Sequence, residues 1–222
     1  MGFWSGVCDF VGSCVSGAID VVSSAVSSVG SALASSASDF IKIASPMLNS
    51  VVSIVEIVGV FLNILNPNDN IEELGAKAME ADKKPEDFDS NAQYIDYLRD
   101  EIKLDIEKFE EATDIDKLAR VAIGTTIVTK GIEEQKGFDI PLTTWTTIAK
   151  LNIDKPNEID AIIDTFKNGR LDDFTKYSEG KLDTSKELEI GDSLVDMYSK
   201  LEPNLSKDEI EDKVMNMDMG YR

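Results

Sequence analysis

Residues 3–65 read FWSGVCDFVGSCVSGAIDVVSSAVSSVGSALASSASDFIKIASPMLNSVVSIVEIVGVFLNIL, and their apolar positions recur every eleven residues. One column is Trp4, Val15, Val26, Ala37 and Leu48. A second is Val7, Ala18, Val29, Phe40, Val51 and Leu62, and a third is Val11, Val22, Leu33, Ala44 and Val55. Eleven residues fill three helical turns at about 3.67 per turn, so the columns make a stripe almost parallel to an α-helix axis, drifting slightly right-handed. A strand would need a period of two, which the columns do not offer. The opposite face collects Ser13, Ser16, Gly17, Ser23, Ser24, Ser27, Ser28, Ser31, Ser35 and Ser38, where a surface helix ordinarily carries Glu and Lys. Ser and Gly are mediocre helix formers, so this helix must draw its stability from what its stripe packs against. Small side chains also let a second helix approach closely. Unbroken, residues 3–44 would span about 60 Å.

Ser45-Pro46 reads as a restart, with Ser45 as N-cap and Pro46 at the first helical position. The helix expected after it, Met47 to Leu65, carries one charge, Glu56. Its length of about 28 Å is close to the hydrocarbon thickness of a bilayer. Asn49, Ser50, Ser53, Glu56 and Asn63 make it a poor permanent transmembrane segment.

Composition changes abruptly at this point. Residues 1–66 hold five charged side chains (Asp9, Asp20, Asp39, Lys42 and Glu56), fourteen Ser and six Gly. Residues 67–222 hold the other 21 basic and 38 acidic residues. Asn66-Pro67-Asn68-Asp69-Asn70 punctuates the change. Two parts are therefore expected: residues 1–66, an apolar helical region with an eleven-residue repeat, and residues 67–222, an acidic soluble helical domain.

The acidic domain shows helix signals throughout. Asn70 caps a helix to about Ala81, and Ser90-Asn91-Ala92-Gln93 is a capping box opening one to about Glu111. The inner face of the latter would be Tyr94, Ile95, Leu98, Ile102, Ile106 and Phe109. Thr113 or Asp114 opens a helix burying Leu118, Val121, Ala122, Thr125 and Val128, which ends at Gly137. Within it, Thr-rich Gly124 to Thr129 is the one segment with β character. Pro141 and Pro156 start two more, one burying Trp145, Ile148 and Leu151, the other Ile159, Ile162, Ile163 and Phe166 before a stop at Gly169. Thr184-Ser185-Lys186-Glu187 and Ser206-Lys207-Asp208-Glu209 are further capping boxes. The fold class is all-α.

A net charge of −20 argues against contact with nucleic-acid phosphates and against electrostatic attraction to anionic lipid. The chain has no histidine, which removes the commonest general base and most zinc sites. Neither a Gly-x-Gly-x-x-Gly nor a Gly-Lys-Ser/Thr loop occurs. Glu110, Glu111, Asp114 and Asp116 lack the glycine and spacing of an EF-hand and read as acidic residues at a helix N-terminus. Trp145 among Thr143, Thr144, Thr146 and Thr147 reads as core rather than a sugar platform. With carboxylates this numerous, no particular pair marks a glycosidase. No catalytic, cofactor-binding or metal residue is designated, and a non-enzymatic role is expected.

Cys8 and Cys14, six apart on one helix, point in different directions and are expected as free thiols of a reducing compartment. No Lys or Arg precedes Lys42, so the basic start of a Sec signal is missing. The expectation is synthesis in the cytoplasm, with any export by another route. The Lys/Asp/Ile/Asn-rich composition suggests a bacterial or phage origin. The stripe is then the face expected to meet membrane lipid, in a pore-forming or membrane-inserting protein whose acidic domain is a soluble carrier. The alternative partner is further copies of the chain, in a structural, adaptor or cargo component of a phage-like secretion or injection assembly.

Overall fold

The computed structural model describes residues 12–217, and every regular element among them is a helix. The chain divides into two compact units, Met1–Gly137 and Phe138–Arg222.

The first unit is organised by its last helix. Its elements are α1 (Gly12–Ser24), α2 (Val26–Val29), α3 (Ser31–Ala44), α4 (Leu48–Phe61), α5 (Ile71–Glu80), α6 (Asn91–Asp100), α7 (Ile106–Glu110) and α8 (Asp114–Lys136). The 23-residue α8 packs against α1, α3, α4, α5 and α6. All eight residues from Val121 to Val128 are buried, so the helix is enclosed on every side. The Thr125 and Thr126 hydroxyls donate to the carbonyls of Val121 and Ala122, which satisfies them without water. Residues Gly124–Thr129 are thus helical and not a strand, because four-residue back-bonding and all-round burial override the β preference of threonine. Thr113 and Asp116 form the capping box at the start, and Gly137 ends the helix with φ 77°.

The long N-terminal helix expected through residue 44 is broken twice. The Ala25 N–H turns to both Val21 O and Val22 O, and Gly30 takes φ 80°, ψ 153° before α3 begins. Lacking a Cβ, Gly30 adopts that backbone at no steric cost. Ser45–Met47 forms a 3₁₀ turn in which the Ser45 side chain makes no capping bond, and α4 starts at Leu48. Residues Ser31–Phe61 form a nearly continuous 31-residue helical rod about 46 Å long. It ends at Asn63, in the left-handed region at φ 59°, with the Ile64 and Leu65 N–H groups returned to Gly59 O.

The compositional break at Asn66-Pro67 lies inside the first unit, as the turn between α4 and α5. The Asn66 N–H donates to Asp69 Oδ2 (2.8 Å), and Asn70 caps α5 by accepting from the Glu73 N–H. The helix expected from Ser90 to about Glu111 stops at Asp100, and Asp105 caps the short α7 separately. That break uncouples the register, so Ile106, expected inward, is 62% exposed.

The second unit comprises α9 (Leu142–Lys150), α10 (Pro156–Thr165), α11 (Leu171–Ser178), α12 (Thr184–Leu201) and α13 (Lys207–Met215). Trp145, Ile148, Ile159, Ile162, Ile163, Phe166, Phe174, Leu194 and Tyr198 fill its core. The N-cap of α12 is Asp183 rather than Thr184, because its carboxylate accepts from both the Ser185 and Lys186 N–H groups. Buried Glu158 joins three helices: it accepts the Tyr198 hydroxyl hydrogen (2.6 Å) and pairs with Lys213 (3.2 Å), which also reaches Glu202 (3.1 Å).

Candidate functional site

The rod Ser31–Phe61 is the feature with the strongest physical character. It is long and apolar enough to cross a bilayer, with a mean hydropathy of 1.7 over its eighteen-residue window, yet only 39% of that window is buried. Its inner side, formed by Leu33, Ala37, Phe40, Ile41, Leu48, Val51, Ile54, Val55 and Val58, is buried where α3 and α4 lie on α8. Its outer side exposes Ser31, Ala32, Ser35, Asp39, Lys42, Ile43, Pro46, Asn49, Ser50, Ser53 and Phe61. Ile43 and Phe61 are each 45% exposed, and Val52, Ile57 and Val60 are half-buried.

Charge is nearly absent from this outer side. Lys42 pairs with Asp39 (3.0 Å), one turn away, so the two cancel locally. Glu56 is the remaining ionisable group of the rod. Toward the N-terminus, the exposed faces of α1 and α2 carry Ser13, Ser16, Ser23, Ser24 and Ser27, with Asp20 as their one charge. The hydroxyls of Ser23, Ser24 and Ser38 donate to the carbonyls of Ile19, Asp20 and Ala34. Serines bonded back onto their own helix lose less on leaving water than serines that depend on it.

The residues expected to form a membrane or assembly face divide three ways. Val22, Val29, Leu33, Phe40, Leu48, Val51 and Val55 are buried inside the first unit. Val15 and Leu62 are half-buried, and Val26 is 37% exposed. Trp4, Val7 and Val11, like Cys8, lie outside the described residues, while Cys14 carries a free, half-buried thiol. In the folded chain the stripe therefore lies largely against α8. A stripe that is simply core, folded back at Ser45-Pro46 and buried by the rest of the chain, is one of the readings the sequence allows, and α8 is the element that covers it. The signal for α8 is in the sequence: no ionisable residue occurs between Arg120 and Lys130.

No family model matches this chain, and no curated protein or solved structure is similar to it. Its function is therefore argued from geometry.

Among the described residues no group of three or more carboxylates or thiols is placed to hold a metal ion. Where the rod ends, however, a cleft of about 370 Å³ opens in the first unit. It is lined by Asn63, Ile64, Asn66, Ala92, Asp96, Arg99, Gly131, Glu134 and Gln135. The Arg99 guanidinium is held by Asp69 through Nε and Nη2 (2.7 Å for the latter) and by Asp96 through Nη1. Glu134 accepts from the Asn91 backbone N–H (2.7 Å) and side-chain amide (3.0 Å).

Proposed function

We propose that this chain is a non-enzymatic membrane-active protein that folds its rod, Ser31–Phe61, against α8 in water and transfers it into a bilayer on contact. The observation that carries the reading is the rod itself: a 31-residue helix of mean hydropathy 1.7 with less than half of its apolar window covered. In a soluble core helix the apolar face is covered and the outer face is charged. Here the outer face is serine, alanine, asparagine and exposed Ile43 and Phe61, with the mutually paired Asp39 and Lys42 as its charges.

Transfer carries terms of both signs. Moving Leu33, Phe40, Leu48, Val51 and Val55 from α8 to hydrocarbon exchanges one apolar surrounding for another, so their burial is roughly conserved. Ile43, Phe61 and the half-buried Val52, Ile57 and Val60 become fully buried, each gaining a fraction of the 1.5–3 kcal/mol typical of a large apolar side chain, on the order of 1 kcal/mol. Opposing this are Glu56, the Asp39–Lys42 pair and the α8 face left behind. In water the charges and the α8 face are the larger side, which keeps the rod folded on α8.

The test is dye release from liposomes by the full-length protein. A Cβ on Gly59 would lie 2.9 Å from Val128 Cγ1, so Gly59→Cys with Val128→Cys, in a Cys8→Ser, Cys14→Ser background, can lock rod to α8 by a disulfide. Release by the reduced form and its suppression in the oxidised form are expected. Vesicles left intact by the parent protein, or equal release from both redox forms, would overturn the reading. A defined oligomer in sedimentation alongside intact vesicles would replace it with assembly of several copies.

A further inference from the structure

We infer that the cleft at the end of the rod is a site for the headgroup of a zwitterionic lipid, its ammonium taken by Asp96 and Glu134. The inference rests on the membrane reading for its lipid, and on the cleft alone for its chemistry.

The position comes first. Asn63 and Ile64 line the cleft and directly follow α4, the second half of the rod. Because Gly131, Glu134 and Gln135 of α8 form its far wall, the cleft exists while the rod lies on α8, so a headgroup would be met there on first contact with the membrane surface, before the rod transfers. Phe61, exposed two residues before Asn63, is the apolar neighbour of such a site.

The lining then selects the ligand. At about 370 Å³ the cleft falls in the size range of small-molecule sites and exceeds a single headgroup. Arg99 brings one positive charge, itself paired with Asp69 outside the lining, and Asp96 and Glu134 bring two negative ones. That balance favours a cation over a bare phosphate. Asp96 engages Arg99 through Oδ1 and Glu134 engages Asn91 through Oε2, so each carboxylate has its other oxygen for an ammonium hydrogen. The amides of Asn63, Asn66 and Gln135, with the Arg99 guanidinium hydrogens not directed at Asp69 or Asp96, supply donors for a phosphodiester attached to that ammonium. A headgroup with both charges fits, whereas phosphoglycerol has no ammonium for Asp96 and Glu134.

The rest of the chain acts in the same direction. Lys42 is the one basic residue in 12–66, and it is committed to Asp39. At the other end of the rod the Glu86 carboxylate lies against Gly30, where a Cβ would approach its Oε1 to 2.7 Å. The rod itself therefore offers an anionic surface no free basic anchor, and the net charge of −20 repels such a surface.

Two measurements test the inference separately from the membrane reading. The first is titration of the full-length protein with soluble glycerophosphoethanolamine, followed by the side-chain amide NMR signals of Asn63, Asn66 and Gln135. Saturable shifts are expected with this probe and absent with glycerophosphoglycerol. Glu134→Gln and Asp96→Asn should each weaken binding about tenfold, the loss of one charge-assisted contact, with melting curves checking that both variants fold. The second is co-sedimentation with phosphatidylethanolamine/phosphatidylcholine vesicles against vesicles rich in phosphatidylglycerol, at low and high salt. Preference for the zwitterionic vesicles, reduced by Glu134→Gln, is expected; its electrostatic part should shrink at high salt. Shifts of equal size with both soluble probes, or none with either, overturn the headgroup site even if vesicles are bound. Binding of glycerophosphoethanolamine without binding of any vesicle overturns the membrane reading and leaves the cleft as a site for the free headgroup.

Discussion

Gly75 of α5 and Gly124 of α8 meet backbone to backbone. A Cβ on Gly75 would lie 1.8 Å from Arg120 O, and one on Gly124 would lie 1.9 Å from Ile71 O. No side chain can be accommodated there by a rotamer change, since the obstructing atoms are main chain. Gly75→Ala and Gly124→Ala should each force the helices apart and cost about 3 kcal/mol, the upper part of the overpacking range. Urea unfolding monitored on the first unit checks this. Gly137→Ala is the contrast: nothing lies within 4 Å of its added Cβ, so only its φ of 77° opposes the change, at about 1 kcal/mol.

Glu158 should be the least replaceable carboxylate of the second unit. It is 5% exposed and holds both the Tyr198 hydroxyl and the Lys213 ammonium. Glu158→Ala leaves the buried hydroxyl only the weak thioether acceptor of Met217 (3.9 Å), while Lys213, partly exposed, keeps Glu202. A loss of about 3 kcal/mol is expected, with Glu158→Gln losing less because its amide oxygen still accepts from Tyr198. Thermal unfolding of both variants measures the difference.

Alkali should destabilise the protein through two tyrosines. Burial raises the pKa of Tyr94, assisted by Tyr97 and Glu86 nearby. Burial likewise raises Tyr198, assisted by its hydrogen bond to Glu158. An unfolded tyrosine ionises at about pH 10. Above that pH the unfolded chain releases protons that the folded one keeps, so stability is unaffected below about pH 10 and falls as pH rises further. In a phenolate absorbance titration, Tyr94 and Tyr198 should ionise only as the chain unfolds. Smooth ionisation of all five tyrosines with helical circular dichroism intact would contradict this.

The turn after the rod depends on Asp69. Its carboxylate receives the Arg99 guanidinium (2.7 Å) and the Asn66 N–H (2.8 Å), and its side chain is 12% exposed. Asp69→Ala should cost about 2 kcal/mol and raise hydrogen exchange at Asn63–Asn70 more than elsewhere in the first unit. Uniform exchange across that unit would show that the turn is held by other contacts.

Much of the helix layout was legible because caps are local. Asn70, Thr113, Pro156 and Ser206 begin helices where their side chains or rings dictate, and Gly137 ends one where a left-handed residue is needed. The misreadings differ in cause. The helix expected through residue 44 broke at Gly30, a glycine stop inside an otherwise periodic stripe, whereas the one expected through Glu111 ended at Asp100, where no strong stop signal occurs and the packed neighbours decide whether a helix runs on. The cleft was illegible because Asn63, the Asp96–Arg99 pair of α6 and Glu134 of α8 come from three elements far apart in the sequence.

By itself, the sequence determined the all-α class, the local starts and stops, and the eleven-residue stripe with serine opposite, since these follow from side-chain chemistry within a few turns. Tertiary structure alone decided what the stripe meets. Periodicity says that one face avoids water, and lipid, a second copy or α8 would satisfy it equally. In the folded chain α8 covers most of it, and close approach at Gly75 and Gly124 packs α5 onto that same helix. The outer side of Ser31–Phe61, rich in serine and poor in charge, is left uncovered by the chain.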